Sequence, residues 1–482
     1  MHLGRNYLYL SIAELASKAI TFASIAYLAR VVGPESYGYF EFAAAALFCA
    51  GLIVDQGLGP YGAREIAKKP ESTPQLVWQI VSLRFALAFL ALLTLVLFAL
   101  AIEHPPQVTQ LLLIYALDVM LMPLLLQWVF QGYEQMGSVA VLQFIRQTLF
   151  ALVILLFVHE SNQIWIVGLA EAAGIAGAAI YGLVKCFREV PQLVRVHLDI
   201  SWRVLQESAP IGLSQVFWVV RMYGATLILG LLAESQEVGY FGAAMRIFVA
   251  LHAFIYLYFF NQLPSMVRAW HASDASFNQL IAQSFQRVAW ACLFAAPVWI
   301  IAAPAVMRAA YGAEFIPGSI ILQWLAIVFA VTWLDGHYRF SLIAAGFQQI
   351  EMYSQLLGSL AVIILIPILY DVGGLNRVGI AFIVGEFVVA AVTWWYSSRK
   401  LALHTPMALL ARLALWVCLI LLLLWITLDV ALLQRILIVE GVLAFVVVLT
   451  DSKLRTYLLT IVQRENVTLR THLDRLARLR SN

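Results

Sequence analysis

Seven basic side chains stand inside stretches that are otherwise apolar: Lys18, Arg84, Arg146, Arg221, Arg246, Arg287 and Arg339. A charge near the centre of a bilayer costs about 2.5–3.5 kcal/mol even on the insertion scale. Bases in such places must pair, reach for the interface, or line water. Lys18 and Arg221 fall near the middle of their stretches, Arg84, Arg146, Arg287 and Arg339 toward one end, and Arg246 toward the other. Together they describe a cationic cavity, wider at one side, and guanidinium groups suit a phosphate-bearing polyanion. The competing reading is that the end-lying arginines snorkel and that Lys18 pairs with Glu14, one turn away. Arg221 has no acidic residue within a turn of its own helix.

A second set is acidic. Glu171 and Glu386 are central in their stretches, and Asp55, Asp118 and Asp335 lie in or near others. Carboxylates held inside a membrane carry protons or neutralise neighbouring bases. Glu171, Glu386 and Asp118 are the candidates for ion coupling, with simple salt bridging as the alternative, above all for Asp118 and Asp335.

The elements that position these residues follow from composition. Of 482 residues, 63% are hydrophobic and 12% charged, where soluble domains hold about a quarter charged. Such a chain has lipid as its solvent. Apolar segments of bilayer-spanning length fall at 7–31, 38–62, 78–102, 109–130, 139–158, 163–184, 208–232, 238–262, 281–305, 318–345, 350–370, 378–396, 410–429 and 434–450. The expected fold is therefore an all-α integral membrane protein with about 14 transmembrane helices. With the N-terminus inside, 19 of the 30 Lys and Arg residues fall on inner loops and tails and four on outer loops, which predicts that both termini are cytoplasmic. The first apolar stretch is too long for a cleaved signal peptide.

The chain repeats itself. Gly38-Tyr39-Phe40 joins spans one and two, and Gly239-Tyr240-Phe241 joins spans seven and eight. Lys18 and Arg221 precede their glycines by similar distances, and Arg84 and Arg287 follow them by similar distances. Val167-Gly168-Leu169-Ala170 opens the sixth span and Val378-Gly379-Ile380-Ala381 the twelfth. Glu171 and Glu386, placed against this motif, differ by one turn and share a face. An offset of six spans keeps both copies the same way up, and parallel repeats put the substrate path between them. The expected organisation is a six-helix bundle over 1–190, its repeat over 200–400, two further spans over 409–450, and a basic amphipathic tail over 451–482 that lies on anionic lipid.

Other chemistry is missing. No phosphate-binding Gly-x-x-x-x-Gly-Lys-Ser/Thr loop, His-Glu-x-x-His or Gly-x-Ser-x-Gly occurs, so neither an ATPase nor a common hydrolase is expected, and the chain reads as a non-enzyme with no cofactor. Cys49, Cys186, Cys292 and Cys418 lack metal-ligand spacing, and the nine histidines are scattered; no metal site is expected. A net charge of +3 gives no case for nucleic acid.

The stretch Ala29-Arg30-Val31-Val32-Gly33-Pro34-Glu35-Ser36-Tyr37-Gly38 resembles the first-loop signature of the Wzx-type polysaccharide transporter family. Asp55-Gln56-Gly57-Leu58-Gly59 with Arg64-Glu65-Ile66-Ala67 is similar to it too, as is Val238-Gly239-Tyr240-Phe241-Gly242-Ala243-Ala244-Met245-Arg246-Ile247 to its second-half signature. The resemblance implies two bundles around a central cavity and, in a bacterial inner membrane, ion-coupled flipping of an undecaprenyl-diphosphate-linked oligosaccharide for O-antigen, capsule or exopolysaccharide. Lys18 and Arg221 fall in the general position where the lipid II branch of its superfamily keeps basic residues, and the intramembrane charges themselves give the expected diphosphate site as Lys18, Arg221, Arg84, Arg287 and Arg339. The partners the resemblance implies are the lipid-linked glycan, membrane lipids, and polymerase and chain-length proteins. Where the family often has an acid shortly after the seventh-span arginine, this chain has Met222, Tyr223 and Gly224. The alternatives are a lipid II or multidrug exporter of the same superfamily, or a non-transporting partner of a polysaccharide synthase.

Overall fold

The computed structural model describes residues 2–194, 200–403 and 407–450; the expected amphipathic tail lies outside them. Among the described residues the chain is helical, with no strand. Helix α1 (His2–Asp55) carries the first two expected spans and is broken only at Gly33, whose φ of 73° interrupts the helix just before Pro34. The short α2 (Leu58–Lys68) follows. Then come α3 (Thr73–Ala101), α4 (Pro106–Val119), α5 (Gln127–Gly132), α6 (Met136–Phe157) and α7 (Ile166–Glu189). Next come α8 (Trp202–Val219) and α9 (Ala225–Leu232), joined by a π-turn at Val220–Gly224. The chain continues through α10 (Ser235–Ala272), α11 (Asp274–Tyr311), α12 (Ser319–Ala344), α13 (Gln348–Gly373) and α14 (Leu375–Lys400), and α15 (Met407–Ile426) and α16 (Leu432–Thr450) follow.

Ten stretches among the described residues are helical, long and apolar enough to cross a bilayer. The first of them, Ser17–Lys68, holds two of the expected spans, while the seventh span and α15 contribute only shorter apolar helices. Two spans also differ from the straight helices expected of them. The fourth is split into α4 and α5 around a 3₁₀ turn at Met122–Leu124 that contains Pro123, because proline has no N–H to continue the ladder. The seventh is interrupted by its π-turn. Leu97, Leu100, Leu117, Ile364 and Phe387 remain exposed on their helices, as apolar side chains do when hydrocarbon is the solvent. The protein is a multi-pass membrane protein.

The chain forms two compact units, Met1–Val267 with Ala303–Leu401, and Arg268–Ala302 with Ala402–Asn482. In the second, Trp416 and Ile420 pack with Leu293, Leu443 and Val447, the Trp290 and Trp416 rings lying 4.9 Å apart.

In the first unit α1 packs on α3, α4 and α6, α6 lies along α7, and α14 lies along α12 and α13. The two Gly-Tyr-Phe motifs meet face to face. A Cβ on Gly38 would collide with the Ser235 carbonyl oxygen, and one on Gly239 with the Pro34 carbonyl oxygen. Only glycine lets two helix backbones approach so closely. From this crossing α1 runs down the line of α8 and α9: Phe42 packs on Gly230, Phe48 stacks on Tyr223 with centroids 4.0 Å apart, and Gln56–Gly57 abuts Ser208 and Gly212. These contacts run from the start of α10 along α9 and the π-turn to α8.

Since the colliding atoms are backbone, a side chain at Gly38 must wedge this crossing open. With the four native cysteines replaced, Ala45→Cys, buried on the same helical face as Gly38, should resist a water-soluble maleimide. In a Gly38→Leu background it should label at least about tenfold faster. Equal labelling would show that the crossing does not seal this end.

Candidate functional site

Among the described residues, ion pairs join Arg84 to Asp55, Arg146 to Glu171, Arg221 to Glu386, Arg246 to Glu41 and Arg339 to Glu351. Much of the expected cationic set is thus charge-balanced by these acids. This is the cheaper arrangement in low dielectric, where an unpaired ion carries its whole desolvation penalty.

The deepest pair is the one between Arg221 and Glu386. Its Nη1–Oε2 distance is 3.1 Å, with side-chain exposures of 5% and 2%. Arg221 lies eleven residues from the end of α9 and Glu386 eleven from the start of α14, about 16 Å along each helix and so near mid-membrane. Local structure makes the contact. The Ser359 hydroxyl donates to the Phe217 carbonyl at 3.0 Å, just ahead of the π-turn that carries Arg221. A side chain inserted into the helix ladder and a π-bulge both alter local helix geometry, and such bulges recur at functional sites. On the other partner, Gly385 sits so close to α13 that a Cβ there would lie 2.9 Å from the Gly358 carbonyl oxygen. That approach holds the neighbouring Glu386 deep in the bundle.

The pair is incompletely satisfied. Arg221 Nε and Glu386 Oε1 are buried without hydrogen-bond partners, as are His252 Nε2 and Asp335 Oδ2. Asp335 accepts from the Thr393 hydroxyl, while Arg339 donates through Nε and Nη2 to one Glu351 oxygen at 3.2 and 2.8 Å. His252, wedged between Phe248 and Tyr256, is within electrostatic reach of Arg221 and Arg339. Each orphaned buried group costs about 1–3 kcal/mol, so this cluster is less stable than a fully bonded one would be.

In the first repeat Arg146 reaches Glu171, with Asp118 within electrostatic reach of both. Arg146 is central in α6 rather than near one end, and it lines a cavity of about 270 Å³ together with Lys18. Arg221 is not among the residues that line this cavity. Arg84 is buried beside Asp55, with Trp128 under its guanidinium at 5.9 Å. It ties α3 to the end of α1. Arg287 belongs to the second unit and is exposed there. Arg246 bridges the repeats, bonding Glu41 and standing 4.9 Å over the Phe40 ring.

Sequence reasoning missed Glu41, Glu351 and His252. Glu41 and Glu351 lie on other helices than the arginines they hold, so spacing along one helix could not reveal them. Their only signal was a charge, or a histidine, within an apolar run.

Residues 3–270 match the family described as "Polysaccharide biosynthesis protein". Over 262 residues the chain is 24% identical to the "Putative O-antigen transporter" of Escherichia coli (strain K12), covering 53% of this chain and 62% of that protein, less than two thirds of the relative's length. In fold it resembles the lipid II flippase MurJ in its inward closed conformation, at a TM-score of 0.68 and 14% identity, over 92% of this chain and 99% of that one. It also resembles an inward-facing multidrug resistance MATE family transporter of the MOP superfamily, at a TM-score of 0.64 and 14% identity, over 80% and 94%. These relatives are transporters and flippases, not catalysts. The fold is similar to that of these two proteins, and the family match, over more than half the sequence, shows that this chain belongs to the polysaccharide biosynthesis protein family.

Proposed function

We infer that this protein flips undecaprenyl-diphosphate-linked oligosaccharide units across the bacterial inner membrane for O-antigen, capsule or exopolysaccharide assembly. The observation that carries the reading is the half-satisfied Arg221–Glu386 pair, held by a π-turn at mid-depth in a chain of this family. A diphosphate offers Arg221 what Glu386 gives it only in part, a bidentate anionic partner. The bundles over 1–190 and 200–400 move as the two halves of the cycle, and the spans over 409–450 stand outside it. Lys18 acts with Arg221 on the headgroup, and Arg84, Arg287 and Arg339 support the path. The fold is equally compatible with a lipid II or multidrug substrate. Against the multidrug reading, the bases at Lys18 and Arg221 suit an anion better than a cationic drug.

The test is export itself: inverted vesicles holding the lipid-linked unit should present its glycan on the opposite face only when the protein is present. A protein-free rate in those vesicles overturns the reading. Orientation is tested separately. Both termini are placed in the cytoplasm on the distribution of Lys and Arg, so reporter fusions at Lys69 and after the last span should read inside. An outside reading at either would invert the topology.

A further inference from the structure

The cavity in the first repeat is lined by more than the two bases. Four helical segments meet there. From α1 come Ser17, Lys18 and Thr21, and from α6 come Leu142, Gln143, Arg146 and Gln147; Leu125 lies in the break before α5, Gln127 opens α5, and Ala178 comes from α7. The spacing is deliberate in its effect. Ser17 and Thr21, and likewise Gln143 and Gln147, are four residues apart, so each pair lies on one helical face. The Thr21 hydroxyl donates to the Gln147 carbonyl oxygen at 2.7 Å. The Gln127 and Gln143 amides have no hydrogen-bond partner among the described residues, although both are half-buried. Polar amides within a membrane bundle are costly without partners, and here they surround open space.

The break in the fourth span opens at the same place. Leu125 is extended, with ψ of 97°, between the 3₁₀ turn and Gln127. Non-helical backbone at membrane depth is tolerated only where protein covers it or where it lines a polar cavity, and interrupted helices mark binding sites in transporters.

We propose that this cavity is a carbohydrate subsite: the Gln127, Gln143 and Gln147 amides and the Thr21 hydroxyl hold the first sugar of the headgroup, with Lys18 and Arg146 toward its phosphate. The chemistry of the lining selects this ligand. An amide is both donor and acceptor, as is each hydroxyl of a sugar ring, whereas the two bases match phosphate oxygens. An apolar drug would want aromatic walls, and none of the lining side chains is aromatic. A bare metal cation would want carboxylates, and none lines the cavity. The volume, about 270 Å³, lies below the usual range for drug-sized pockets and fits one monosaccharide better than a whole repeat unit. The remaining sugars would stay outside it, so this subsite reads the sugar next to the diphosphate and leaves the rest unread.

This subsite rests on the flippase reading, and the test separates the two. Purified protein in nanodiscs is titrated with farnesyl diphosphate and with farnesyl diphosphates bearing a single glucose, galactose, N-acetylglucosamine or N-acetylgalactosamine. Wild type should bind at least one sugar-bearing probe more tightly than the bare diphosphate. Gln127→Leu/Gln143→Leu, of similar volume and more compatible with lipid, should weaken that probe by about 10- to 100-fold, one to two hydrogen bonds, and leave the bare diphosphate unchanged. Unaltered melting of the variant confirms that it folds. If no sugar improves wild-type binding, or if the variant weakens both probes alike, the carbohydrate subsite is overturned while diphosphate binding stands. If wild type binds none of the probes, including the bare diphosphate, the flippase reading falls and the subsite with it.

Discussion

Arg221→Ala should abolish glycan export. The guanidinium is the most buried of the intramembrane bases that have a described partner, at 5% side-chain exposure against 2% for Glu386. Removing it deletes the proposed phosphate partner at mid-depth. It also leaves Glu386 buried without a counterion, and breaking such a pair costs about 3–5 kcal/mol of stability. Loss of export alone would therefore be ambiguous. The double variant Arg221→Ala/Glu386→Gln removes both charges and should recover normal protein levels in the membrane without recovering export. Arg221→Lys should restore export only in part, because a point charge cannot form the two-pronged contact of a guanidinium. Full complementation by the double variant would show that the pair serves packing and that the headgroup is held elsewhere.

An imposed pH gradient, acidic on the outer face, should drive the glycan outward in proteoliposomes of the wild type. The Glu171→Gln/Glu386→Gln variant should lose that drive. Each of these carboxylates holds an arginine, Arg146 and Arg221 respectively, so protonating either one frees a guanidinium. The sign of coupling depends on which form crosses. For proton antiport, the protonated carboxyl must return with an empty cavity and the ionised one must travel with a full cavity. Simple competition between Glu386 and phosphate at Arg221 gives the other sign, since the proton and the diphosphate then favour each other's binding. A gradient acidic inside that speeds export would establish that co-transport. Equal response of wild type and variant would exclude both acids as the coupling groups. Glutamine keeps an amide oxygen that accepts from a guanidinium, so the variant probes charge with little change of shape, and its melting temperature shows whether the bundle tolerates the loss.

The repeat shows how far the sequence carried. Gly38-Tyr39-Phe40 and Gly239-Tyr240-Phe241 were recognisable as copies, yet nothing in either showed that the two glycines are each other's contact, backbone on backbone. The break in the fourth span was foreshadowed by Pro123. The π-turn at Arg221 had no such mark, because it depends on Ser359, 142 residues away, bonding the Phe217 carbonyl.

The sequence by itself determined that the chain lives in lipid, which stretches are apolar enough to span it, and which charges had to be accounted for. These are properties of short windows: mean apolarity over a span and the cost of each ion within it. Which acid answers which base was beyond such windows. Arg221 has no acid within a turn and finds Glu386 on α14; Arg246 finds Glu41 on α1; Arg339 finds Glu351 on α13. A cationic cavity and a set of balanced pairs have the same composition and the same spacing along the chain. Only the packing of one helix against another decides between them, because an ion pair is made over a few ångströms in space and leaves no trace in sequence separation.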